Sequence, residues 1–138
     1  MNAEIIERQC KAMRLAGLDA LIALSPENVT YTAGLLVPSQ SLMRWRHAAC
    51  VDTADGQLAM AVIDMEETTV KGLAAAIQNV RVYREFVNDP MDTLADLLTA
   101  LKLDRARIGV EMDFIPARDF QTLARRLPQA SFTAAENI

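Results

Sequence analysis

The feature that most constrains this chain is a short apolar run, residues 20–24, followed at once by Ser25-Pro26-Glu27-Asn28. The run is too short for a lone helix and suits a strand buried on both faces. Ser25 is placed to cap a helix by accepting from the free N–H groups of its first turn. Pro26 fits the first helical position, where a missing N–H costs nothing. Glu27 then sits at the positive end of the helix dipole. Val29, Thr30 and Tyr31 continue the helix, and Gly34 ends it in a left-handed conformation. A buried strand thus turns sharply into a short helix. In open α/β sheets such corners lie near ligands.

The rest of the chain repeats that alternation. Residues 3–16 predict an amphipathic helix, with Ile6, Cys10 and Met13 on one face, stopped by Gly17. Residues 47–51 and 57–63 read as two strands joined at Asp55-Gly56, a hairpin signal. The second is nearly all apolar and belongs at the centre of a sheet. Asp64-Met65-Glu66-Glu67 matches a capping box before a helix with Val70, Leu73, Ala74 and Ile77 inward. Residues 80–84 alternate as a half-buried strand does. Asp89-Pro90 opens a further helix, capped by Asp89, with Leu94, Leu97, Leu98 and Leu101 as its stripe. A strand follows over residues 107–111. A helix begins at Pro116 with Phe120, Leu123, Ala124 and Leu127 inward, and residues 130–133 form an edge strand. The order α-β-α-β-β-α-β-α-β-α-β predicts a three-layer α/β/α domain on a mixed, mostly parallel sheet. The domain spans residues 1–133. Residues 134–138 carry no stop or cap and are expected to begin a linker.

At 138 residues the chain has the size of one domain with a real core. Its net charge of −4 argues against a nucleic-acid partner, which needs clustered Lys and Arg. No apolar run approaches a membrane span, and the charged, amphipathic start is unlike a signal peptide. Cys10 and Cys50 read as buried thiols rather than a disulfide framework. A cytoplasmic location is expected.

Residues 36–46 break every period, and Pro38, Ser39 and Ser41 mark a loop. This loop holds the only tryptophan, Trp45, between Arg44 and Arg46. Trp and Arg are enriched at interface hot spots. Two readings stand: Trp45 covers the core edge between solvated arginines, or the loop faces a partner or ligand. The single histidine, His47, is a structural residue at the start of a strand or a group beside a ligand at that loop. No metal-binding Cys/His cluster is present. Helix capping accounts for Asp64, Glu66 and Glu67. Glu111 and Asp113 end a strand where an α/β site can lie, yet nothing else in the sequence converges on them. There is no nucleophile elbow, Walker A loop or dinucleotide fingerprint. The chain reads as a packed domain with no self-contained active site.

Several segments, in this order and spacing, carry a family resemblance over essentially the whole chain. They are the first helix ending in Gly17-Leu18-Asp19-Ala20, the Ser25-Pro26-Glu27-Asn28 corner, Tyr31-Thr32-Ala33-Gly34, Ile63-Asp64-Met65-Glu66, and Arg107-Ile108-Gly109-Val110-Glu111. Together they resemble the N-terminal domain of the creatinase/prolidase/Xaa-Pro aminopeptidase family of pita-bread metallopeptidases. The resemblance implies a ribonuclease-H-like α/β/α fold. It implies a non-catalytic domain that supports dimerisation, with the catalytic apparatus in a following domain. There a pair of divalent metals, such as Mn or Co, is held by two Asp, one His and two Glu, a motif set not found in this chain. The expected partners are the chain's own C-terminal catalytic domain, a second copy in a homodimer, and a small peptide or small carboxylate substrate. The segment from Pro38 to His47 matches the loop lent to the partner subunit's active site. Arg44 or Arg46 would grip a substrate carboxylate, Trp45 would wall the pocket, and His47 would lie beside them. The alternative is a stand-alone small-ligand or protein-binding α/β domain. A ribonuclease-H-like nuclease is disfavoured by the net charge and by the absence of carboxylates within the first buried strand.

Overall fold

A computed structural model describes residues 3–34, 37, 47–73, 77 and 79–135 of the chain. The elements are α1 (Ala3–Ala16), β1 (Ala20–Ala23), α2 (Pro26–Ala33), β2 (Ala49–Thr53) and β3 (Leu58–Ile63). A 3-10 turn (Asp64–Glu66) leads into α3 (Glu67–Leu73), and β4 (Asn79–Tyr83) and α4 (Pro90–Ala100) follow. The chain continues through β5 (Arg107–Val110), α5 (Ala117–Arg126) and β6 (Ser131–Ala134). The strands form one six-stranded sheet in the order β4-β3-β2-β1-β5-β6. Only β2 runs against the others: it is antiparallel to both β1 and β3, whereas β3–β4, β1–β5 and β5–β6 are parallel. This is the mixed, mostly parallel sheet expected from the element order.

Strand alternation divides the core into two. On one face Ala20, Ile22, Ala49, Val51, Ala59, Ala61, Ile108 and Val110 meet Met91, Leu94, Leu97 and Leu98 of α4 and Leu123 of α5. On the other, Ala23, Cys50, Leu58, Met60 and Val62 meet Ile6, Cys10 and Met13 of α1, Val29 and Ala33 of α2, and Val70 of α3. Both faces of the central strands are therefore apolar, and β3 is buried at every position. Leu94, Leu97 and Leu98 are fully enclosed, and each contributes about 1.5–3 kcal/mol through burial. Phe120 meets Phe132 edge-to-face with centroids 5.9 Å apart, tying α5 to β6. Arg126 of α5 donates to Asp92 at 2.7 Å and Asp96 at 2.6 Å on α4. That exposed bridge adds at most about 1 kcal/mol per pair.

The caps follow local chemistry. Ser25 Oγ accepts from Asn28 N, Pro26 is the first residue of α2, and Gly34 closes it at φ 76°. Asp89 caps α4 by accepting from Met91 N at 2.9 Å. Gly56 turns the β2–β3 hairpin at φ 88°.

Three local expectations are corrected. The strand expected over residues 47–51 is shifted: His47 and Ala48 precede β2, which runs on through Asp52 and Thr53 because Asp52 pairs with Leu21 on one side and Leu58 on the other. The expected capping box does not form. Asp64 opens a 3-10 turn without a side-chain cap, and the Glu66 side chain turns inward instead. In β4 the inward residue is Tyr83, while Val82 is partly exposed, because the strand lies at the sheet edge. Of the expected α3 stripe, Val70 and Ile77 are buried. Ala74 lies outside the described residues. At the other edge Ala135 N still donates to Val110 O at 3.0 Å, so pairing to β5 outlasts β6 by one residue.

Candidate functional site

In this sheet the chain leaves β1 toward β2 and leaves β5 toward β6, on opposite sides. The crevice outside the C-terminal ends of β1 and β5 is therefore the topological switch point, where open α/β sheets bind ligands. Glu111 follows β5 directly and is buried. Its Oε1 accepts from Leu24 N at 2.7 Å and Ser25 N at 3.0 Å. Its Oε2 accepts from Asn28 Nδ2 at 3.0 Å. One carboxylate thus clasps the strand-to-helix corner at three points. The Ser-Pro-Glu-Asn sequence divides its tasks accordingly: Ser25 caps, Pro26 starts the helix, and Asn28 reaches the clasp, leaving Glu27 on the exposed surface. The sequence marks Glu111 as the end of a strand but not its partners, which lie more than 80 positions away.

Beside the clasp lies a cavity of about 150 Å³. Its floor is β1 at Leu21 and Ala23, and its walls are Gln9 of α1, Asn28, Tyr31 and Thr32 of α2, Glu111, and Ala135 after β6. Gln9 carries no sequence signal beyond its helical position, and Tyr31 stands out in the sequence only as part of Tyr31-Thr32-Ala33-Gly34. Only the packing of α1 across α2 brings them here.

The second region surrounds His47. Its Nε2 pairs with Asp119 Oδ2 at 2.9 Å, with side-chain exposures of 12% and 17%. Its carbonyl accepts from Tyr83 Oη at 2.9 Å. His47 is therefore held by both backbone and side chain, between β4 and α5. A shallow groove beside it is lined by Phe86, Val87, Pro90 and Arg118. Phe86 stands 83% exposed at a left-handed φ of 64°, a costly conformation for an aromatic residue. Arg44, Trp45 and Arg46, the other residues assigned to substrate, lie outside the described residues. Asp113 is exposed, two residues past the clasp.

Two further carboxylates are buried with free oxygens: both oxygens of Asp52, and Oε2 of Glu66. Burial, reinforced by the negative charge of Asp55, pushes the Asp52 carboxyl up to about 7. Burial, with Asp52 adding to it, also raises both the Cys10 and Cys50 thiols. Both cysteines are free and buried, so neither is an activated nucleophile. Asp52 and Glu66 lie toward opposite ends of the sheet. Among the described residues no three His, Cys, Asp or Glu side chains are grouped to hold a metal ion. Among the described residues, then, no set of side chains fits a dinuclear centre. No helix among the described residues is long and apolar enough to cross a membrane.

A model of the Creatinase/Prolidase N-terminal domain matches residues 6–138. The N-terminal domain of an X-Pro dipeptidase from Streptococcus pyogenes superposes with a TM-score of 0.73 at 18% identity, covering 97% of this chain and 94% of that one. The N-terminal domain of the cytoplasmic peptidase PepQ from Mycobacterium tuberculosis gives 0.75 at 17% identity, covering 97% and 94%. The Xaa-Pro dipeptidase from Bacillus anthracis gives 0.74 at 15% identity over 96% of this chain but only 33% of its own length. At these identities the solved structures establish likeness of fold. Comparison with curated proteins gives no match.

Proposed function

The chain belongs to the Creatinase/Prolidase N-terminal domain family, and we propose from that membership that it serves as the non-catalytic N-terminal domain of a metal-dependent Xaa-Pro dipeptidase- or aminopeptidase-like hydrolase. The observation that carries this reading is the family match across residues 6–138. It is supported by the small share of a longer Xaa-Pro dipeptidase that the fold accounts for. In this reading a pair of divalent ions, such as Mn or Co, belongs to a catalytic domain beyond this chain. The domain supports a homodimer in the cytoplasm. Its loop through Arg44, Trp45, Arg46 and His47 borders the partner subunit's substrate site. The His47–Asp119 pair anchors the C-terminal root of that loop to α5.

The test has two arms. The purified 138-residue chain, supplied with Mn²⁺ or Co²⁺, should not hydrolyse an Xaa-Pro dipeptide, and clear turnover would overturn the non-catalytic assignment. In the full-length enzyme, Arg44→Ala with Arg46→Ala should raise KM for the dipeptide. An unchanged KM would remove the loop from the substrate site.

A further inference from the structure

Asp52 lies on an apolar face of the sheet, beneath α1. Along β2, Ala49 and Val51 point to the α4 side, whereas Cys50 joins the core under α1, α2 and α3. Asp52 shares the parity of Cys50 and so faces α1. Its charge acts on the Cys10 thiol of α1 and on the Cys50 thiol beside it. Its register partners on the neighbouring strands are Leu21 and Leu58, both packed into that same core. Asp52 is 1% exposed, and neither of its carboxylate oxygens has a hydrogen-bond partner. The titratable and charged groups around it are Cys50 on its own strand, Asp55 in the hairpin turn, and Cys10 on α1 with Arg14 near that thiol. Among the described residues none of them gives the carboxylate a hydrogen bond.

A carboxylate in such a place must gain water or give up its charge. Water cannot reach it through the sheet without parting β2 from β1 or β3. From the α1 side the way is less costly. Helix α1 is held by burial of Ile6, Cys10 and Met13, by Gln9 Nε2 donating to Thr32 Oγ1 at 3.0 Å, and by Cys10 Sγ donating to Thr53 O at 3.6 Å. The hairpin turn abuts it, since a Cβ on Gly56 would stand 3.9 Å from Cys10 Sγ and Ile6 Cγ2. None of these contacts is a strand pairing, so α1 can leave as a unit. We propose that α1 is a pH-controlled cover: loss of the Asp52 proton releases the helix from the sheet while the six strands stay paired. The sign follows from burial, which with Asp55 holds the proton on docked Asp52 up to about 7. With α1 released, water reaches the carboxylate and it titrates near ~3.9. Docking therefore weakens about tenfold per pH unit from about 4 to about 7 and then levels off. Release also parts Gln9 from Thr32 and removes one wall of the cavity beside Glu111, so the same proton governs access to that cavity. The device is independent of the metallopeptidase reading above.

Native-state hydrogen exchange of the ¹⁵N-labelled chain tests this, with protection factors corrected for the intrinsic exchange rate at each pH. The amides of Cys10 and Met13 report on α1, and those of Met60 and Val62 on β3. Between pH 5 and pH 7 protection in α1 should fall about tenfold per pH unit. It should stay below that of β3 and respond weakly to added urea, because release of one helix exposes little surface. In Asp52→Asn the protection of α1 should be flat with pH, and at pH 7.5 it should exceed wild type about a hundredfold or more. The wild-type series decides the matter even if Asp52→Asn fails to fold. Amides of α1 that match β3 in protection and urea dependence at every pH would overturn the proposal, since the helix would then leave only with the whole domain. So would wild-type α1 protection that does not change with pH, or a fall that persists in Asp52→Asn.

Discussion

The carboxylate of Glu111, just past β5, accepts the side-chain amide of Asn28 in the first turn of α2 at 3.0 Å, across 83 positions of sequence. The same carboxylate takes the backbone N–H groups of Leu24 and Ser25. It supplies an acceptor to backbone donors at the end of β1 and the start of α2. The parallel pair β1–β5 is thereby fastened at its C-terminal end, where the cavity opens.

Glu111→Ala should therefore cost about 2–4 kcal/mol, because it strands buried backbone donors as well as removing the acceptor. Glu111→Gln should cost less. It retains one oxygen but sets an amide donor against the Asn28 amide. Asn28→Ala removes a single partly exposed bond and should cost about 1 kcal/mol. Urea unfolding of the three variants checks that ranking. A Glu111→Ala variant no less stable than Asn28→Ala would show that solvent replaces the clasp.

Asp52 makes stability depend on pH, with a definite sign. Burial first, and Asp55 second, raise its carboxyl to about 7 in the folded protein, against about 3.9 in an unfolded chain. Between those values the folded state holds a proton that the unfolded state has lost. Stability therefore falls as pH rises from about 4 to about 7 and levels off above. Asp52→Asn should match wild type near pH 4 and exceed it by up to about 4 kcal/mol above pH 7. Urea midpoints across that range read the difference. Parallel curves for the two proteins would mean that Asp52 ionises as it does in water.

Gly109 is a close-approach glycine. A Cβ there would stand 2.7 Å from Ala135 Cβ and Leu21 Cδ2, and 3.0 Å from Leu18 Cδ1. Leu21 can shift, but the Ala135 methyl is fixed to its backbone, which is bonded to Val110. Gly109→Ala should cost about 1–3 kcal/mol by overpacking. Adding Ala135→Gly should recover part of that loss, giving a non-additive cycle. A strictly additive cycle would place the strain on Leu21 and Leu18 instead.

What was legible in the sequence was local. The Ser25 cap, Pro26 at the start of α2, the Gly34 stop, the Asp89-Pro90 opening of α4 and the Gly56 hairpin each depend on a few neighbouring residues, and each is present as expected. The apolar periods marked the inward faces of α1 and α4 and the full burial of β3, although β3 lies next to the edge strand β4 rather than at the centre of the sheet. Local rules misled at Asp52 and Thr53, where polar side chains read as the end of a strand that neighbouring strands in fact extend. They misled again at Asp64, where a cap pattern gave way to a 3-10 turn.

By itself, then, the sequence determined the order of elements and the apolar faces, because helix and strand periods and caps act over a single turn or pleat. Only the tertiary structure decided that Glu111 meets Asn28, that Gln9 lines the cavity beside them, and that His47 finds Asp119. Each of those depends on which strands are neighbours and how α1 crosses α2. Contacts of that kind join residues far apart in the chain, and no local preference specifies them.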